Sequence, residues 1–134
     1  MDKVLVLKEI THAFEQKPIF KNLNMAVTKN DVVSIVGASG VGKTTLFNIA
    51  AGLLTPTSGE VWINGVETTG QAGTVGYMLQ KDLLLPFKSV FDNIALPLTL
   101  KGDSKAKIEE VVTPQLAHFG LQGLEHQYPQ TLSG

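Results

Sequence analysis

The sequence predicts an α/β fold organised around a strand, a glycine loop and a helix in direct succession. Three observations carry this. Val32-Val33-Ser34-Ile35-Val36 is a short, nearly continuous β-branched run, the pattern of a parallel-sheet strand covered on both faces. Gly37-Ala38-Ser39-Gly40-Val41-Gly42-Lys43-Thr44-Thr45 follows without a gap. Leu46, Ile49, Ala50 and Leu53 then recur at helical spacing, with Gly52 where a C-terminal cap belongs.

The remaining elements fall around this unit. Residues 4–10, rich in Val and Leu, read as a first strand. Ile19, Leu23, Met25 and Val27 sit on one parity with Asn22 and Asn24 on the other, a half-buried second strand. Glu15-Gln16-Lys17-Pro18 is the polar turn between them. Past the turn cluster Thr55-Pro56-Thr57-Ser58-Gly59, Val61-Trp62-Ile63 reads as a strand and Asn64-Gly65 as its hairpin turn. A further strand is expected over 75–79 and an apolar loop over 83–87. Ser89 is the expected N-cap of a helix that Pro97 kinks or ends. Residues 104–112 read as a charged helix, and Pro114 as the first turn of a new one. Met25 and Met78 are expected in the core, and His12, His118 and His126 at the surface.

Composition narrows the function. An apolar fraction of 43% with 17% charged residues excludes a disordered chain, and 134 residues suffice for one domain. A net charge of −1 gives no basic excess, so no nucleic-acid partner is expected. The absence of cysteine excludes a disulfide framework and thiolate zinc, as suits a cytosolic protein. No run approaches the roughly 20 apolar residues of a membrane span, so any membrane link comes through a partner.

The spacing Gly37, four residues, then Gly42-Lys43-Thr44 is that of a phosphate-binding P-loop. Glycines admit a close approach of backbone to a bulky anion. Backbone N–H groups over 40–45 then face the phosphates at the positive end of the helix. Lys43 adds a point charge for the β- and γ-phosphates, and the Thr44 hydroxyl suits Mg²⁺, which prefers oxygen.

Further markers give the class. Phe14 precedes the loop, Ser58-Gly59-Glu60-Val61-Trp62-Ile63-Asn64-Gly65 follows its helix, Val75-Gly76-Tyr77-Met78-Leu79-Gln80 comes next, and Tyr128-Pro129 leads to Leu132-Ser133-Gly134. In this order they resemble the ATP-binding subunits of ABC transporters. The stretches 84–93 and 128–134 look most like bacterial importers of the nitrate, sulfonate and taurine type. The fold implied is a P-loop NTPase (ABC ATPase): an N-terminal antiparallel β subdomain, a RecA-like core left incomplete, and a helical subdomain. It would be one nucleotide-binding domain over 1–134, with the β subdomain and P-loop core in 1–80 and the Q-loop and helical subdomain in 81–134.

The resemblance also implies roles. Phe14 would stack on adenine, unless it is an ordinary core or edge aromatic. Gly37, Ser39, Gly40, Val41, Gly42, Lys43, Thr44 and Thr45 would hold the phosphates, with Thr45 near the α-phosphate. Thr44 and Gln80 would ligate Mg²⁺, and Lys43 and Gln80 would serve catalysis. Ser133 and Gly134 would cap the γ-phosphate of a second, head-to-tail ATP-binding subunit. The loop over 83–87 would meet a transmembrane permease, or else be buried. An extracytoplasmic substrate-binding protein would be an indirect partner, and the location would be cytoplasmic, peripheral on the inner face of the membrane.

One departure is expected to matter: the family's apolar strand ending in Asp-Glu, which serves Mg²⁺ and the attacking water, has no match here. The implied function is an ATPase coupling ATP hydrolysis to import, the complete protein being active and this chain inactive alone. The alternative is a truncated nucleotide-binding module without turnover.

Overall fold

The structure, a computed structural model, describes residues 2–37, 41–79, 81 and 83–132, and of Val41 the backbone alone. The chain divides into two compact units, Met1–Met78 and Leu79–Gly134.

The first unit is a four-stranded antiparallel sheet with one helix. Strands β1 (Lys3–Phe14), β2 (Lys17–Thr28), β3 (Ser58–Ile63) and β4 (Val66–Glu67) lie in the order β2-β1-β3-β4, and helix α1 spans Val41–Ala50. Both hairpins turn on two residues with positive φ, as type I′ turns require: Glu15 (46°) with Gln16 (68°), and Asn64 (50°) with Gly65 (79°). Leu7 and Ile10 of β1, Val61 and Ile63 of β3, and Leu46 and Ile49 of α1 form the buried core. Each contributes roughly 2 kcal/mol of burial. Met25, Leu23 and Phe20 pack against it from β2.

Both long strands carry irregularities, at Glu9 (φ 49°) in β1 and Asn22 (φ 50°) in β2. Side chains stand in for the broken ladder. The Glu9 amide donates to Asn24 Oδ1 at 2.9 Å, and the Asn22 amide to Thr11 Oγ1 at 3.0 Å. The shift reverses the inward parity: Leu7 faces the core before it, Ile10 and His12 after it. His12 is therefore buried, against the expectation of a surface histidine.

Two expected strands do not form among the described residues. Residues 32–36 pair with neither sheet edge, and Val32 and Val36 are 95% and 93% exposed. Residues 75–79 are likewise unpaired, and Met78 is 96% exposed instead of core. β-branched residues favour the extended backbone, but a strand needs a neighbour to pair with. Of the parallel core, the described residues carry the helix without a paired strand. Leu53, expected on the buried face of α1, is exposed because Gly52 (φ 80°) has already ended the helix.

The second unit is a helical pair, α2 (Val90–Lys101) and α3 (Lys105–His118), followed by a 3-10 turn at Pro129–Thr131. Ser89 caps α2 as expected, its hydroxyl accepting from the Asp92 amide at 3.1 Å. Ser104 caps α3 in the same way, and Gly102 (φ 88°) closes α2. Pro97 lies inside α2 and does not end it, and Pro114, against expectation, lies inside α3 and starts no new helix. Ile108, Val112 and Leu116 repeat at four-residue steps across Pro114, so one buried stripe holds both halves together. No helix among the described residues is long and apolar enough to cross a membrane.

Candidate nucleotide-binding site

Gly37, Gly42, Lys43, Thr44 and Thr45 come together at the N-terminal end of α1. The helix begins at Val41 and has no acidic residue in its first turn, so its unpaired N–H groups face no competing carboxylate. Lys43 reaches back to Gly37, its ammonium donating to the Gly37 carbonyl at 2.8 Å. Thr44 is exposed and free to offer its hydroxyl, whereas Thr45 is buried. Ser39, Gly40, Gln80, Ser133 and Gly134 lie outside the described residues, as does the Val41 side chain.

The glycines differ in what surrounds them. A Cβ on Gly37 would meet no described atom within 4 Å, and its φ is not left-handed. Among the described residues, neither packing nor a left-handed backbone demands glycine at 37. A Cβ on Gly42 would stand 3.8 Å from Ile19 Cγ2, an ordinary contact.

Ile19 of β2 therefore lies close to Gly42 at the start of α1. Phe14, at the end of β1, lines a shallow pocket of about 640 Å³ with Glu15, Lys17, Pro18 and Ile19. Phe14 is 43% exposed, so it is not a core aromatic. An open aromatic face next to a phosphate-type loop can take a planar ring. Ile19 lines the pocket with Phe14 and also lies next to Gly42.

Two features here escaped the sequence reading. His12 packs edge-on against Phe14, ring centroids 4.8 Å apart at 88°. The Tyr77 hydroxyl donates to Asn48 Oδ1 at 2.8 Å, tying residues 75–79 to α1. Tyr77 and Asn48 are 29 residues apart, and nothing local signals the pair.

The residues fit a magnesium–triphosphate group in part. Magnesium takes one or two protein oxygens and otherwise phosphate and water, so one exposed threonine hydroxyl suffices at this end of the site. No cluster of three or more His, Cys, Asp or Glu that could hold a metal by itself occurs among the described residues.

In the second unit, the loop over 83–87 presents Leu83, Leu84 and Phe87 to solvent, which decides against burial. Asn93 holds the loop in shape. Its Oδ1 accepts from the Leu85 amide at 2.8 Å, and its Nδ2 donates to the carbonyls of Leu85, Lys88 and Ser89 at 3.0–3.2 Å.

Comparison with known proteins shows what the chain as a whole is similar to. Residues 20–134 match a family model described as ABC transporter. Over 134 residues the chain is 36% identical to an uncharacterized ABC transporter ATP-binding protein, YtlC, of Bacillus subtilis, covering 97% of this chain and 52% of that protein. It is 34% identical over 133 residues to the formylaminopyrimidine import ATP-binding protein ThiZ of Halalkalibacterium halodurans, covering 98% and 51%. The chain thus spans about half the length of these curated relatives. Among solved structures it resembles the ATP-binding cassette MJ0796 in a dimeric post-hydrolysis state bound to ADP and Pi, with a TM-score of 0.80 and 27% identity, covering 96% of this chain and 63% of that one.

Proposed function

The chain belongs to the ABC transporter family, and from that premise we propose that it binds Mg-ATP as part of the ATP-binding subunit of an importer. The observation that carries this is the pairing of Lys43 over the Gly37 carbonyl with an acid-free helix start. Such a start presents N–H donors and a positive dipole end to phosphate, and Lys43 supplies the full charge. The exposed Thr44 hydroxyl is the magnesium ligand on this side, and Gln80 is the second. Magnesium held by these residues would spread the negative charge of the phosphates. Phe14 takes the adenine, and Thr45 lies beside the α-phosphate.

In the whole protein, Lys43 and Gln80 serve hydrolysis. Ser133 and Gly134 reach the γ-phosphate of a second subunit placed head-to-tail, in keeping with the dimeric form of the similar cassette. The exposed loop over 83–87, fixed by Asn93, is the contact for a transmembrane permease. On this reading the protein would lie on the cytoplasmic face of the membrane, with an extracytoplasmic substrate-binding protein as indirect partner. Relatives named for import of formylaminopyrimidine, methionine and Fe(3+) support import as the direction. The stretches 84–93 and 128–134 keep the nitrate, sulfonate and taurine type as the narrower reading of subfamily.

The test is ATP turnover by the intact protein, with and without its permease. Hydrolysis that Lys43→Ala abolishes is expected. Unchanged hydrolysis by Lys43→Ala overturns the proposal, and Lys43-dependent binding without any turnover leaves only the non-hydrolysing module.

A further inference from the structure

His12 is 7% exposed, and neither ring nitrogen has a hydrogen-bond partner. Buried polar groups are nearly always paired, so an imidazole kept at such a place needs a reason. The sheet itself offers none, because an aliphatic residue would fill the position without orphaned nitrogens. What His12 does touch is aromatic. Across the ladder its Cα partner is Phe20, which packs against the core of the first unit. Along β1, two residues on, its ring meets Phe14 nearly perpendicularly at 4.8 Å. Cross-strand partners project to one face of a sheet. Phe20, His12 and Phe14 therefore form a row from the packed core to the open pocket beside the phosphate loop.

We propose that His12 is a positioning residue for the nucleotide base, holding the plane of the Phe14 ring so that it is ready to stack. Phe14 sits at the last position of its strand and is open on its pocket side, so little else restrains it. The edge-to-face contact selects one ring orientation before the ligand arrives. Binding then costs less ordering of that side chain. The idea rests on the reading of Phe14 as the base-stacking residue.

The experiment measures the affinity of the intact protein for ATP and for inorganic tripolyphosphate, which has the phosphates but no base. His12→Leu keeps the site filled and apolar while removing the aromatic edge. It is expected to weaken ATP roughly three- to tenfold, as loss of such an aromatic pair implies, and to leave tripolyphosphate binding unchanged. His12→Phe restores the edge and is expected to recover ATP affinity. In a Phe14→Ala background, His12→Leu should have no further effect. The proposal is overturned if His12→Leu binds ATP as tightly as the parent, or loses both ligands equally, as a purely structural role requires. If Phe14→Ala itself leaves ATP affinity unchanged, the stacking reading fails and takes this one with it. If Phe14→Ala weakens ATP and His12→Leu does not, only the role of His12 fails.

Discussion

Gly37 and Gly52 show how two glycines of one chain answer to different demands. At Gly52 a Cβ would lie 2.1 Å from the Gln71 carbonyl oxygen, on a backbone with φ 80°. At Gly37 the space is open. Gly52→Ala is therefore expected to destabilise the protein by about 3 kcal/mol or more, from strain and clash together, as read in a urea titration. Gly37→Ala should change stability by less than about 0.5 kcal/mol and yet weaken tripolyphosphate binding. A Gly37→Ala protein that binds phosphate normally would remove the argument from open space. The phosphate loop was legible because it is a spacing of residue types, and each type has its own task. His12 was not legible. Simple alternation from Leu7 puts residue 12 on the outer face, and only the irregularity at Glu9 turns it inward. A bulge of this kind leaves no mark in the apolar pattern.

At the scale of elements, local chemistry predicts local structure well. Asn64-Gly65 formed its two-residue turn, and Ser89 formed its cap. Ser89→Ala should cost about 1 kcal/mol of stability in the second unit, visible as a lower urea midpoint with an unchanged slope. Pro114 did not begin a helix because its local effect is real but small beside a buried stripe. Ile108, Val112 and Leu116 outweigh the one N–H that Pro114 removes. The strand expected at 32–36 failed for the opposite reason: its propensity is strong, but no described strand lies beside it.

The turn after α3 adds a pH dependence. The Gly123 amide donates to the Glu125 carboxylate at 3.0 Å and, with help from the Glu125 amide and His126, holds that carboxyl below the ordinary glutamate range. A lowered acid binds fewer protons when folded, so its contribution is present above the ordinary glutamate pKa and lost as pH falls through the lowered value. An NMR titration should find the Gly123 amide shift following Glu125, with its midpoint below that of a free glutamate. Glu125→Gln should abolish the shift, and a midpoint at the ordinary value would contradict the assignment.

For the molecule as a whole, stability is expected to be uneven. The core of the first unit is β1, β3 and α1, while 32–36 and 75–79 have no ladder partner among the described residues. In the 134-residue chain, amides of Leu7 and Ile10 should exchange with solvent slowly, and those of Val32 and Val36 orders of magnitude faster. Equal protection would mean that 32–36 is paired after all. The chain spans about half the length of these relatives, and the loop, Lys43 and Phe14 all lie within the part it spans.

The most direct test of that site is calorimetric titration of the intact protein with Mg-ATP, beside Lys43→Ala. The account predicts saturable binding by the parent and a loss of at least roughly tenfold in affinity on removing the ammonium, as a charge-assisted contact to phosphate implies. Equal affinity for both proteins would contradict it, because ATP would then be held somewhere other than the loop beneath Lys43.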